Sequence, residues 1–203
     1  MKKIIFMAAM LLSSVATFAQ HEVGSITIQP KIGMNIADLT DVDDSDVRIG
    51  LAVGAEAEYQ ATDLFSVSAG VLYSMEECKG SEDGVKATIK LDYINIPILA
   101  NVYVTKGLAV KLGIQPGFNI NAKGKVEANG ASVEADLDGV KTLDFSIPVG
   151  VSYEYQNFVL DARYNFGLTK IASNISIGGQ EIANDIDSKN SVFQITLGYK
   201  FSL

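Results

Sequence analysis

A chain of 203 residues, 48% hydrophobic and 20% charged, sits near globular averages, so composition alone excludes neither a soluble nor a membrane fold. A net charge of −8 argues against nucleic acid as a partner, because phosphate binding needs a basic footprint. The single cysteine, Cys78, excludes an intramolecular disulfide framework.

The chain opens on "MKKIIFMAAMLLSSVATFAQ". Lys2 and Lys3 form a basic start, residues 4–12 an apolar run, and Thr17 and Ala19 a small-residue cleavage pattern. Residues 1–19 are therefore expected to be a signal peptide and residues 20–203 one exported domain. The opening run is too short to span a bilayer, and nothing later approaches the ~20 apolar residues of a spanning helix.

From there strict alternation recurs, the mark of strands with two different faces. In the first strand Ile26, Ile28, Pro30, Ile32, Met34 and Ile36 alternate with Thr27, Gln29, Lys31, Gly33 and Asn35. The second covers 47–59, with Ile49, Leu51 and Val53 against Arg48, Glu56 and Glu58. The third, from Phe65 to Glu76, sets Val67 and Val71 against Ser68 and Ser74. The fourth is irregular: Ile94, Ile96, Ile98, Val102 and Val104 share a face, while Ile89, Leu91 and Tyr93 have the opposite parity. A β-bulge near Tyr93–Ile94 would reconcile them. The fifth (108–120), sixth (143–155), seventh (158–168) and eighth (193–203) alternate again. Four prolines, Pro30, Pro97, Pro116 and Pro148, fall inside these strands, where each removes a ladder donor.

Connections at 60–63, 105–107 and 156–157 are tight, and those at 37–46, 77–88, 122–140 and 170–190 are long. Short turns at one end and long loops at the other fit an eight-stranded antiparallel up-and-down transmembrane β-barrel, with periplasmic turns and extracellular loops. Asn129–Gly130 and Gly178–Gly179 are hairpin-turn signals within two long connections.

Alternation leaves open which face meets lipid. A soluble lipocalin-like barrel would put the apolar face inside. Aromatics flanking the short turns (Tyr59, Phe65, Tyr103, Tyr153, Tyr155, Phe158, Tyr199, Phe201) and others toward the long loops (Tyr73, Tyr93, Phe118, Phe145, Phe166, Phe193) point instead to two girdles around an aliphatic band. The polar face mixes glycine and serine with charges of both signs, which suits a narrow lumen. Lys31, Glu56, Glu58, Lys111, Asp144, Glu154, Asp161, Arg163 and Lys200 form the expected interior charge network. Eight strands enclose a space that side chains fill, so a plug is expected rather than a pore. The strand-like ending "FQITLGYKFSL" leaves an exposed edge unless the last strand pairs with the first. The faces yield a mutational expectation: Leu112→Arg disruptive, Gly113→Ser mild.

The segment "KLDYINIPILANVYVTKGLAVKLGIQPGFNI" (90–120) resembles the central hairpin of small outer-membrane β-barrel proteins of the PorT-like family. The length and the "FAQ" at the end of the leader are similar to that family as well. The ending "TLGYKFSL" looks like the C-terminal signal of barrels assembled by the outer-membrane insertion machinery, with Thr196, Gly198, Phe201 and Leu203 in its places. The resemblance implies an outer-membrane location and contact with membrane lipid and with the insertion machinery. It carries no functional residue across, because barrels share a scaffold rather than a task.

Chemistry is sparse. The sole histidine, His21, precedes the first strand, where a positioned catalytic base is not expected. The acidic stretch "DLTDVDDSD" offers Asp41, Asp43, Asp44 and Asp46 as calcium candidates, yet it lacks the glycine and terminal glutamate of an EF-hand loop. A solvated acidic loop is the simpler reading, and no cofactor or enzymatic activity is expected. The expected role is structural, or surface binding of an extracellular ligand or envelope protein through acidic loops. The alternatives are a narrow solute channel or a soluble periplasmic carrier with its faces inverted.

Overall fold

The computed structural model describes residues 21–39, 46–82, 85–128, 131–170, 172–177, 180–184 and 189–203. The strands are β1 (Ile26–Leu39), β2 (Asp46–Gln60), β3 (Phe65–Glu82), β4 (Val85–Asn95), β5 (Ile98–Thr105), β6 (Leu108–Ala128), β7 (Ala131–Asp136), β8 (Asp138–Val140), β9 (Leu143–Tyr155), β10 (Phe158–Lys170), β11 (Ala172–Ile177), β12 (Gln180–Asn184), β13 (Lys189–Tyr199) and β14 (Phe201–Ser202). β4 with β5 and β13 with β14 each make one stave, so eight antiparallel staves run in sequence order around a barrel. Closure comes from β1, which pairs β2 on one side and β13 and β14 on the other. The last residue is held in this seam: the Leu203 N–H donates to the Ile26 carbonyl at 3.0 Å.

Burial settles the faces. Exposed side chains on the barrel strands include Ile32, Val53, Val71, Leu112, Ile114, Val151, Leu160 and Leu197, while Lys31, Glu56, Asp161 and Arg163 are buried. A soluble protein has the opposite distribution. The inverted, carrier-like arrangement is therefore overturned, and the apolar band faces lipid as in other transmembrane barrels.

The short turns lie at one end. At Gln156–Asn157 both residues have positive φ (47° and 72°), the signature of a two-residue hairpin turn whose twist matches its strands. Gly107 supplies the positive φ of the turn after β5. Residues before β1 fold onto the same end, where the Gly24 N–H donates to the Gln60 carbonyl (2.8 Å) and the Gln60 N–H to the Ser25 carbonyl (3.0 Å). The outward rings of Phe158 and Tyr199 meet edge-on at 5.0 Å, and Tyr199 meets Phe201 at 4.8 Å.

At the other end strand extends into what the sequence presents as loop. β3 and β4 pair out to Glu82 and Val85, so most of 77–88 is a strand hairpin. β6 and β7 pair to Ala128 and Ala131 across 129–130, and β11 and β12 to Ile177 and Gln180 across 178–179. β8, β11 and β12 make a separate three-stranded sheet.

Three expectations need correction. The register irregularity by Tyr93 lies on the partner strand: Asp92 faces Asn121 and Tyr93 faces Asn119, so Ile120 of β6 is the extra residue. β4 keeps its parity, and Leu91 and Tyr93 stay buried inside rather than turning outward. Tyr103 likewise leaves the girdle, because its position between outward Val102 and Val104 aims it into the lumen. Gly113 is not a tolerant site: a Cβ there would collide with the Ile98 carbonyl oxygen, which belongs to the paired backbone and has nowhere to move. Of the prolines, Pro97 falls between β4 and β5, where its carbonyl still accepts from the Gly70 N–H at 3.1 Å. Pro30 stands beside the break at Lys200 that separates β13 from β14.

Candidate functional site

Inward parity brings five charged side chains from four staves together at mid-barrel. β1 supplies Lys31, β2 Glu56, β6 Lys111, and β10 both Asp161 and Arg163. Glycines make the room. Lys31 is flanked in register by Gly54 and Gly198, Glu56 by Gly70, and Gly150 stands between Lys111 and Arg163. A Cβ at Gly70 would overlap the Glu56 side chain, and one at Gly150 the Arg163 side chain. Each long side chain therefore lies across the barrel over a neighbour that has none.

The Arg163 guanidinium is the hub. Its Nε and Nη2 donate to Asp161 at 2.7 and 2.8 Å, and its Nη1 and Nη2 to Glu56 at 2.9 and 3.4 Å. Lys31 Nζ approaches Glu56 at 2.8 Å and Asp161 at 3.8 Å, while Lys111 Nζ donates to Asp161 at 2.7 Å. Three cations thus share two carboxylates. The planar fork of arginine holds two carboxylates at once, which a lysine ammonium does not do in the same geometry.

A second cluster closes the short-turn mouth. Lys200 Nζ lies 2.8 Å from Glu58 and 3.0 Å from Glu154 and donates to the Tyr103 hydroxyl at 3.2 Å. Tyr103 and Ser66 both donate to Glu58. His21 reaches in from the segment before β1, with Nε2 3.0 Å from Glu154 Oε1. Toward the long loops a polar tier follows: Asn35 donates to Ser74 at 2.7 Å, Ser74 donates to the buried Glu76 at 2.9 Å, and Asn35 accepts from Gln194 at 2.8 Å. Buried charges are stable only when paired, and the two charged clusters pair theirs across the lumen, Lys31 Nζ and Glu154 Oε2 by ion-pair contact without a hydrogen bond.

Of the residues expected in the network, Lys31, Glu56, Lys111, Asp161 and Arg163 meet at the centre, and Glu58, Glu154 and Lys200 meet at the mouth. Asp144 does not join them. It opens β9 toward the long-loop end, half-buried, and accepts from the Thr169 hydroxyl. Tyr103 and His21 are the additions. Tyr103 is signalled by its parity between two outward valines, whereas no pattern in the sequence marks His21.

Asp41, Asp43 and Asp44 lie outside the described residues, as do residues 1–19, and Asp46 opens β2. Among the described residues no group of three or more His, Cys, Asp or Glu side chains converges as a metal site. In the terminal segment Thr196 is buried toward the lumen and Gly198 packs against Gln29, while Phe201 and Leu203 are exposed on the outer side.

Several solved structures share the outline. The attachment invasion locus protein Ail of Yersinia pestis is 13% identical, with a TM-score of 0.47, 89% of this chain covered and 100% of that one. OprG of Pseudomonas aeruginosa is 16% identical, with a TM-score of 0.47 and coverage of 91% and 99%. Outer membrane protein W of E. coli is 15% identical, with a TM-score of 0.44 and coverage of 90% and 100%. No curated protein matches the sequence. The family model described as "Outer membrane protein beta-barrel domain" matches residues 18–173, most of the chain, and the closed barrel with lipid-facing apolar staves is what that description requires. The chain belongs to the outer membrane protein β-barrel domain family.

Proposed function

We propose that this outer-membrane barrel is a closed scaffold that carries a binding surface and has neither a conducting pore nor a catalytic role. The observation that supports this reading is the lumen: Arg163, Glu56, Asp161, Lys31 and Lys111 join opposite walls by ion pairs with at most 4% side-chain exposure. A route for solute would have to break several buried pairs at once, each costly to separate. What remains free to act is the long-loop end, with its paired extensions β6–β7 and β11–β12 and the acidic connection that contains Asp41, Asp43 and Asp44. Its partner is an extracellular ligand or an envelope protein. Export through the leader 1–19 and assembly through Thr196, Gly198, Phe201 and Leu203 by the insertion machinery belong to the same reading. So does the narrower PorT-like grouping, supported by the segment 90–120.

Planar-bilayer recording of the refolded barrel tests the scaffold. A silent bilayer is expected. Regular conductance steps from the wild-type chain would replace this reading with the narrow solute channel.

A further inference from the structure

The outer wall is recessed over the seam where β1 meets β13, forming an apolar groove of about 380 Å³. Ile32, Val53 and Leu197 stand in one registered row along its side toward the long loops. Phe158 and Tyr199, locked edge-on at 5.0 Å, bound it toward the short turns. The floor is backbone at Gly54 and Gly198, uncovered because the outward residue beside them is the compact Pro30.

The surroundings decide what fills it. The groove opens in the lipid-facing band, so its solvent is hydrocarbon, and an unfilled recess would forfeit dispersion contacts along its whole lining. Water would find too few polar partners to stay. A second barrel fits poorly, since a stable protein interface needs roughly 800 Å² from each partner. The groove is instead near the lower end of the ~300–1,000 Å³ typical of small-ligand sites. Its walls are held by strand pairing and ring contact, so ordering them costs a ligand little.

We infer that the groove is a lipid site: it holds one acyl chain of a phospholipid from the leaflet on the short-turn side. Tyr199 and Phe158 lie at the girdle, where aromatic rings sit at headgroup level, so the chain runs from them toward Leu197 in the aliphatic band. A chain held this way exchanges more slowly than lipid packed against the rest of the wall.

Native mass spectrometry of the full chain, released from phospholipid nanodiscs into detergent, reads this directly. The wild-type barrel is expected to emerge with bound phospholipid. Pro30→Phe, which puts a ring over the floor, and Leu197→Ala, which removes a wall, are expected to lower that fraction severalfold. Ile114→Ala, on an exposed position outside the groove, is expected to leave it unchanged. Heat-dependent gel mobility checks that each variant is folded. Wild-type protein emerging free of lipid overturns the inference, as does retention in either groove variant equal to wild type. Lipid retention and conductance are separate readouts, so either proposal can fail without the other.

Discussion

Below Ile120 and above it, the same strands obey different rules. Within the membrane band outward positions are apolar on every stave, as Leu112 shows on β6 and Leu160 on β10, while most inward ones are polar or small, with Leu72, Leu99 and Val159 as buried apolar exceptions. Above the bulge the order dissolves. There Lys123 and Lys125 take the parity that, by register with Lys90 and Thr88, belongs to the outer face. The cause is the medium: hydrocarbon penalises every outward polar side chain, whereas water on both sides of a projecting sheet does not. Alternation is thus an imprint of lipid, and the bulge marks where that demand stops.

The largest effect is expected from breaking the lumen at its hub. Arg163→Ala leaves Glu56 and Asp161 facing two lysines, balanced in charge but without the guanidinium's four hydrogen bonds and bulk, and should cost about 3–5 kcal/mol. Urea titration of the barrel folded into lipid vesicles measures it. A loss near the ~0–1 kcal/mol of an exposed pair would mean a wet lumen, and the closed-scaffold reading would fall with it.

Next comes the lipid face. Leu112→Arg places a charge in mid-band and should cost about 2–4 kcal/mol in the same assay. Its neighbour tests the opposite surface. Gly113→Ser adds only a small polar group facing a polar lumen, yet the collision with the Ile98 carbonyl predicts a loss of about 1–3 kcal/mol from overpacking. If the serine variant is neutral, the β5 and β6 backbones are farther apart at this point than the register implies.

Much of this was legible in the chain itself because period two is a direct record of two media. The eight staves, their closure, the outward face and the inward charges all follow from parity. Partner choice does not. Whether Lys31 reaches Glu56 depends on Gly54 and Gly198 standing on either side of it, which is a matter of register that alternation alone leaves open. The parity break by Tyr93 announces a bulge but not its strand, since one extra residue on β4 or on β6 produces the same mismatch. Tyr103 was readable and was masked by its nearness to a turn, where an aromatic suggests a girdle. His21 had no signal, because its contact with Glu154 arises only once the segment before β1 folds back along Gln60.

The smallest effect is the sharpest test of where the membrane ends. Ile120 is outward and 57% exposed, like Leu112 at 55%, so exposure alone predicts equal penalties for arginine at the two sites. Lipid depth predicts otherwise. Ile120→Arg sits at the bulge, next to Asn121 and three residues before Lys123, and a charge near the interface costs about 0–1 kcal/mol where the midplane costs several times more. Measured side by side in vesicles, the ratio of the two penalties places the bulge in the bilayer. A small penalty at 120 puts the upper hydrocarbon boundary at or below the bulge. Equal penalties would place the lysines of β6 inside hydrocarbon, where Lys123 and Lys125 could not stay charged without cost, and the medium would no longer explain why alternation stops there.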